Sequence, residues 1–147
     1  MNNITSRKAD LKLDGSLLFT LDNQCFTRFY DNPSSQVSEV AEYLKDSQVY
    51  LYFSGDKPVG YFGFKTLNEN ETEIKVLAVR PEFQGQGIGT KMIHHLSELN
   101  VGKKFSLVTH PWNSQAVIFY LKHGFEIVGW KDDYYGDGQP RLILRSI

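Results

Sequence analysis

The sequence predicts one α/β or α+β domain, a sheet with helices packed against it. Three observations carry that expectation. The chain has 147 residues, the length of one ordinary domain, and no linker or repeat divides it, so positions 1–147 read as a single unit. Apolar residues recur at helical spacing in the first third and alternate in the middle. The last third reads strand, helix, strand, strand.

The elements follow in order. Ile4 to Lys8 is expected as a short first strand. Leu17, Leu18, Leu21 and Cys25 fall at near-helical spacing. A second helix is expected to open at Asn32-Pro33-Ser34-Ser35 and to present Val37, Val40, Ala41 and Leu44 on one face. Val49 to Phe53 and Val59 to Phe64 read as a hairpin turning at Ser54 to Pro58. After a turn at Asn68 to Asn70, Glu73 to Val79 is a strand closed by Arg80-Pro81. Ile88, Met92, Ile93, Leu96 and Leu99 recur helically until Asn100 and Gly102 supply a stop. Phe105 to Thr109 is β-rich. Asn113 is expected to cap a helix that turns Ala116, Val117, Tyr120 and Leu121 inward and ends at Gly124. Phe125 to Trp130 and Leu142 to Leu144 pair across the turn Gly136-Asp137-Gly138.

Composition narrows function. Apolar residues make up 41% and charged residues 22%, ordinary for a soluble globular chain, which argues against disorder. The formal charge of −1 makes nucleic acid and anionic membranes unexpected partners. The longest wholly apolar run, Ala116 to Leu121, is far below the roughly 20 residues of a membrane span. Met1 to Arg7 lacks the apolar core of a signal peptide, and a single cysteine, Cys25, suits a reducing compartment. A cytoplasmic protein is the expectation.

The run Val79-Arg80-Pro81-Glu82-Phe83-Gln84-Gly85-Gln86-Gly87-Ile88-Gly89-Thr90 carries the chemistry. A strand passes through a glycine-rich turn into a helix, where unpaired amides and the helix dipole favour an anion. A P-loop would need Gly-Lys-Ser/Thr at the close of the turn, and Gly89 is followed by Thr90 instead. A dinucleotide turn needs G-x-G-x-x-G and an acid further on, yet the spacing is G-x-G-x-G and no Asp or Glu occurs from Leu99 to Phe125. The coenzyme A turn Q/R-x-x-G-x-G/A is matched throughout by Gln84-Gly85-Gln86-Gly87-Ile88-Gly89. A second motif follows in Asn113-x-x-Ala116-x-x-x-Tyr120, with Leu121-Lys122-His123-Gly124-Phe125 after it.

With these two motifs in order, the chain from about Val49 onward resembles the GNAT superfamily of acetyl-CoA-dependent N-acetyltransferases. The resemblance implies a mixed, twisted sheet of about six or seven strands with about four helices. It implies acetyl-CoA as cosubstrate, no metal, and a primary amine as acceptor, either a small molecule or a peptide or protein N-terminus. A homodimer is left open. The implied cofactor-binding set is Leu77, Val79, Arg80 and Pro81, then Gln84, Gly85, Gln86, Gly87, Ile88, Gly89, Thr90, Lys91 and Met92, and Asn113. Amides from Gln86 or Gly87 through Thr90 to Met92 would hold the pyrophosphate. Backbone groups of Leu77, Val79 and Arg80 would run beside the pantetheine, and Asn113 would hydrogen-bond it. Tyr120 would stand by the sulfur as general acid.

The chemistry asks for such groups: a neutral amine, a stabilised oxyanion and a proton for the thiolate. A Tyr with a pKa near 10 is protonated at neutrality and can donate, and the Leu77 amide is the expected oxyanion donor. The base is open. Peptide N-terminal acetyltransferases of the superfamily carry a Glu where this chain has Val108. Some histone acetyltransferases use a Glu four residues before the Leu-Ala-Val run, which Glu73 matches, and alternation would put Glu73, Lys75 and Leu77 on one strand face. His110 or a water relay are the other candidates. A non-catalytic acyl-CoA-binding regulatory module is the alternative from another class.

Other features read as structural. His94 and His95 are expected on the solvated surface, Cys25 in the core. Asp133-x-x-x-Asp137-Gly138 departs from a calcium loop at Tyr135 and Leu144. The stretch Asp132 to Gly138 is similar to the last hairpin of ribosomal-protein N-terminal acetyltransferases, and a solvated hairpin is its plain alternative.

Overall fold

The computed structural model describes residues 3–28 and 33–147. In chain order the elements are β1 (Ile4–Lys8), α1 (Gly15–Cys25), α2 (Val37–Tyr43), β2 (Gln48–Ser54), β3 (Lys57–Thr66), β4 (Glu71–Val79), a 3-10 turn (Pro81–Phe83), α3 (Ile88–Leu99), β5 (Lys104–Thr109), α4 (Ser114–Lys122), β6 (Phe125–Lys131) and β7 (Arg141–Ser146). The strands among the described residues form one mixed sheet in the order β1-β2-β3-β4-β5-β7-β6. All neighbours are antiparallel except β4 and β5.

Two hydrophobic clusters cover the two faces of this sheet. Ile88, Met92, Ile93 and Leu96 of α3 and Tyr120 of α4 pack with Phe62, Phe64, Ile74, Leu107 and Leu144. On the opposite face, Leu18 and Leu21 of α1 and Val40 and Leu44 of α2 pack with Val49, Leu51, Tyr61 and Ala78. Gly60 lets α3 sit close to β3, since a Cβ there would meet the Ala78 carbonyl at 2.3 Å and the Met92 methyl at 3.0 Å. Thr72 and Asn100, both buried, satisfy each other: the Thr72 hydroxyl donates to Asn100 Oδ1 at 2.9 Å, and Asn100 Nδ2 donates to the Leu96 carbonyl. A bond of this kind stabilises by about 1 kcal/mol, whereas orphaning either group costs more.

The expected elements are present, with three corrections. The second helix begins at Val37, not at the Pro33-Ser34-Ser35 segment, and Asn32 lies outside the described residues. Only Val40 and Leu44 of its apolar set are buried; Val37 and Ala41 are exposed because the seven-residue helix rests on the sheet along a narrow stripe. In α4, Leu121 is exposed, and the inward role passes to Phe119, whose ring covers Gly89 of α3.

The parallel pair β4–β5 is short. Pairing runs from Glu71 with Lys104 to Glu73 with Ser106 and then stops. Just beyond, β4 carries a bulge: Phe64 of β3 pairs with Ile74 and Gly63 pairs with Val76, so Lys75 is the extra residue. A bulge bends and twists its strand. The break in pairing and the bulge coincide, and past them β4 and β5 separate into a cleft.

Candidate active site

The cleft holds a cavity of about 440 Å³ that reaches both faces of the sheet. Asp22, Val40, Tyr43 and Tyr61 line it from the α1–α2 side. Leu77 and Val108 stand on the splayed strands, and Asn113, Ala116 and Tyr120 approach from α4. Tyr135 and Arg141 enter from the β6–β7 hairpin.

Strand register decides what β4 offers to this space. Arg80 N–H donates to the Val59 carbonyl of β3 at 2.8 Å. Alternation therefore turns the N–H and C=O of Leu77 and Val79 away from β3, toward the gap that β5 has left. Gln84 Nε2 donates to the Val79 carbonyl at 3.0 Å, as that orientation requires. The Leu77 N–H and an open strand edge thus border the gap.

The glycine turn lies at the end of the same strand. Gly85 and Gly87 have φ of +78° and +83°, the left-handed region where L side chains are strained, and a Cβ at either would meet nothing within 4 Å. Among the described residues, no backbone partner is recorded for the amides of Gly85 through Thr90. The first bond of α3 is Lys91 N–H to the Gly87 carbonyl at 3.0 Å. Lys91 and Met92 amides are therefore committed to the helix, and the expected anion cradle shortens by those two. Gly89 serves packing against Phe119. Thr90 Oγ1 meets His123 Nε2 at 3.2 Å, tying α3 to the end of α4. Arg80 folds back, donating to the Pro58 carbonyl and pairing with Glu82 at 3.1 Å.

Asn113 caps α4 as expected, its Oδ1 accepting from Ala116 N–H at 3.3 Å, an arrangement typically worth about 1 kcal/mol. Its Nδ2 is left as a donor at the cavity wall. Tyr120 is 6% exposed, and among the described residues nothing hydrogen-bonds its hydroxyl. Burial pushes it well above its ordinary pKa.

The base candidates are placed differently. The bulge breaks the alternation: Leu77 pairs with Phe62 on the α3–α4 face, whereas Glu73 pairs with Lys65 on the α1–α2 face. Glu73 and Leu77 are on opposite faces, which corrects the expectation that they share one. Glu73 lies 3.7 Å from Lys75 Nζ. His110 is buried, its Nδ1 accepting from Trp112 N–H at 3.1 Å. That fixes the proton on Nε2, which donates to Gln139 Oε1 at 3.0 Å.

Residues the sequence did not single out complete the far wall. Tyr43 donates to the Lys75 carbonyl on the bulge at 2.7 Å, and Lys75 Nζ sits 4.4 Å over the Tyr43 ring. Tyr135 joins Tyr43 on the cavity wall, bringing the last hairpin to the α1–α2 side. The Asp137 carboxylate holds Arg141 at 2.9 Å, and Asp133 accepts from Gly138 N–H, so Asp133 and Asp137 both serve the turn. His95 is half-buried, not on the solvated surface, and its Nδ1 lies 2.7 Å from the Tyr52 hydroxyl.

A mixed seven-stranded sheet split at a bulge, with a glycine turn at the strand's end and a buried tyrosine opposite, is the fold of an acetyltransferase class. The chain belongs to the acetyltransferase (GNAT) family, whose model matches residues 16–125. The Salmonella typhimurium peptidyl-lysine N-acetyltransferase YjaB is 31% identical over 107 residues, 71% of this chain and 69% of that protein. Mouse cysteine-rich protein 2-binding protein is 33% identical over 123 residues, 82% of this chain; the match spans only 15% of that protein's length. Among solved structures, a GNAT family acetyltransferase from Elizabethkingia anophelis with acetyl-CoA bound superposes with a TM-score of 0.79 at 20% identity, over 99% of each chain.

Proposed function

We propose that the protein transfers an acetyl group from acetyl-CoA to a primary amine by direct attack in a ternary complex. One observation carries the reading. A single cavity threads the β4–β5 gap and brings the strand edge at Leu77 and the Tyr120 hydroxyl onto its walls.

The fit to the cosubstrate rests on this chain's own groups. Amides of Gly85 through Thr90 have room for a pyrophosphate because no Cβ stands over Gly85 or Gly87. The outward N–H and C=O groups of Leu77 and Val79 can pair with an amide-bearing arm as an added strand would, and Asn113 Nδ2 can donate from across the gap.

Catalysis then divides among named atoms. The amine nitrogen attacks the thioester carbon, and Leu77 N–H donates to the oxygen as negative charge builds there. The C–S bond breaks while Tyr120 donates its hydroxyl proton to the departing sulfur. A raised tyrosine pKa would make that transfer unfavourable to a solvated thiolate. A thiolate in a dry cleft is itself more basic, because desolvation disfavours its charged form as well. The amine's own proton leaves on the α1–α2 side, where Glu73 receives it through water. His110 is less suited, since its only lone pair is already accepting from Trp112.

Incubation with acetyl-CoA and a panel of small amines and peptides, read by mass spectrometry, tests this. Transfer of 42 mass units, roughly one acetyl group per nitrogen, is expected on at least one primary amine. Acetyl-CoA binding without transfer to any amine would favour a regulatory binding module.

A further inference from the structure

The α1–α2 wall of the cavity has a charge pattern that transfer to a simple amine does not use. Asp22 stands on α1 facing the cavity, its Oδ1 accepting from the Tyr61 hydroxyl at 3.2 Å and its Oδ2 from Ser34 N–H at 2.6 Å. Glu39, at the mouth, accepts from the Ser35 hydroxyl at 2.6 Å and from Ser35 N–H at 3.0 Å. Among the described residues, both carboxylates are met by neutral donors only. The two basic side chains on the cavity wall are different. Lys75 is paired with Glu73 and covered by the Tyr43 ring, and Arg141 is paired with Asp137. Among the described residues that line it, the wall therefore carries more negative charge than its own basic side chains neutralise. An independent feature marks the same cavity as a ligand site: the Tyr120 hydroxyl, on a side chain more than nine-tenths buried, faces it with no hydrogen-bond partner among the described residues.

Position separates Asp22 from the reacting centre. Tyr61 pairs across strands with Ala78, the neighbour of Leu77, and its ring rises from the α1–α2 face of the sheet to meet Asp22 with its hydroxyl. The carboxylate thus lies one tyrosine length above the strand edge where the oxyanion donor sits. An amine attacking beside Leu77 cannot also be the group that pairs with Asp22.

We propose that the acceptor carries a second cationic centre, besides the reacting amine, which pairs with Asp22 under the field of Glu39. The inference rests on the amine-acceptor reading above. A charged partner adds a charge-assisted bond in a half-buried site, where such bonds give about tenfold or more in affinity.

The test is calorimetric titration of the protein saturated with CoA, using 1,4-diaminobutane and butylamine as a matched pair. Ala-Lys-amide and Ala-norleucine-amide form a second pair. The wild type should bind the doubly charged member of at least one pair about tenfold more tightly. The pair that shows the preference tells whether the second charge belongs to a small diamine or a peptide side chain. Asp22→Asn should abolish the preference, while Tyr61→Phe, which removes the bond to Asp22 but keeps the carboxylate, should retain it. Equal binding within both pairs would overturn the proposal, as would an unchanged preference in Asp22→Asn. Equal loss in Tyr61→Phe would assign Asp22 to architecture and overturn it too. A preference that persists in binding while no amine is acetylated would sink the transferase reading and leave this inference standing.

Discussion

The two sides of the split sheet are built from different material. On the α3 side, the groups that face the cleft are backbone: Leu77 and Val79 of β4 and the amides of Gly85 through Thr90. On the α1–α2 side they are side chains, with Asp22, Glu39, Tyr43 and Tyr135 drawn from α1, α2 and the last hairpin. A backbone site suits a ligand that never changes, because it depends on glycines and strand register more than on side-chain identity. A side-chain site can be rewritten one residue at a time, and under the proposed function it is where acceptor choice would reside. Tyr120 stands at the boundary, a side chain placed by α4 against the junction of the two.

Breaking each side should give distinct signatures. The largest effect is expected at the boundary. Tyr120→Phe keeps the ring packing against Phe125 and Phe119 and removes only the hydroxyl. Turnover should fall by about 10²- to 10⁴-fold while acetyl-CoA still binds. Wild-type turnover would return Tyr120 to a packing role.

On the backbone side, Gly87→Glu should abolish the thermal stabilisation by acetyl-CoA, which at 100 times Kd corresponds to about 2.7 kcal/mol. The residue's φ of +83° adds strain of order 1 kcal/mol for any side chain, so Gly87→Ala is the needed control. Ala should lower the melting temperature but keep the ligand-induced shift, since its Cβ meets nothing. Equal loss in both variants would point to strain and not to an anion site.

The side-chain half should respond through pH. Glu73→Gln removes basicity while keeping size, so its deficit should be large near pH 7 and shrink toward pH 9 or 10, as solution deprotonates an amine of pKa about 8 to 10. A small, flat deficit would make Glu73 merely the partner of Lys75; a large, flat one would make it a holder of the acceptor's charge. The smallest effect is expected at Cys25. Its thiol, pushed up to about 12 by burial, should be alkylated far more slowly in the folded protein than in the denatured chain at pH 8.5. Cys25→Ser should leave turnover within about twofold, because no covalent step uses the thiol.

This same division explains what could be read in advance. Glycines at 85, 87 and 89, the cap at Asn113 and the apolar periodicity of α3 each leave a local mark, so the glycine turn, the helix start and the inward position of Tyr120 were legible. The bulge at Lys75 leaves none. It follows from how β3 and β4 twist against each other, and it turned Glu73 to the face opposite Leu77 despite the even spacing. Tyr43 meets Lys75 and Tyr135 only through tertiary contacts that no short window contains. His95 likewise owes its partial burial to Tyr52, a residue of another strand.

The division of labour itself can be observed by amide NMR during titration with acetyl-CoA and then with an acetylated amine. Acetyl-CoA should move the amide signals of Leu77, Val79 and Gly85 through Thr90, and leave those of Asp22, Glu39 and Tyr43 nearly still. The second ligand should then move the α1–α2 set. Shifts on acetyl-CoA addition concentrated in α1 and α2, with the glycine turn unmoved, would contradict the account at its centre.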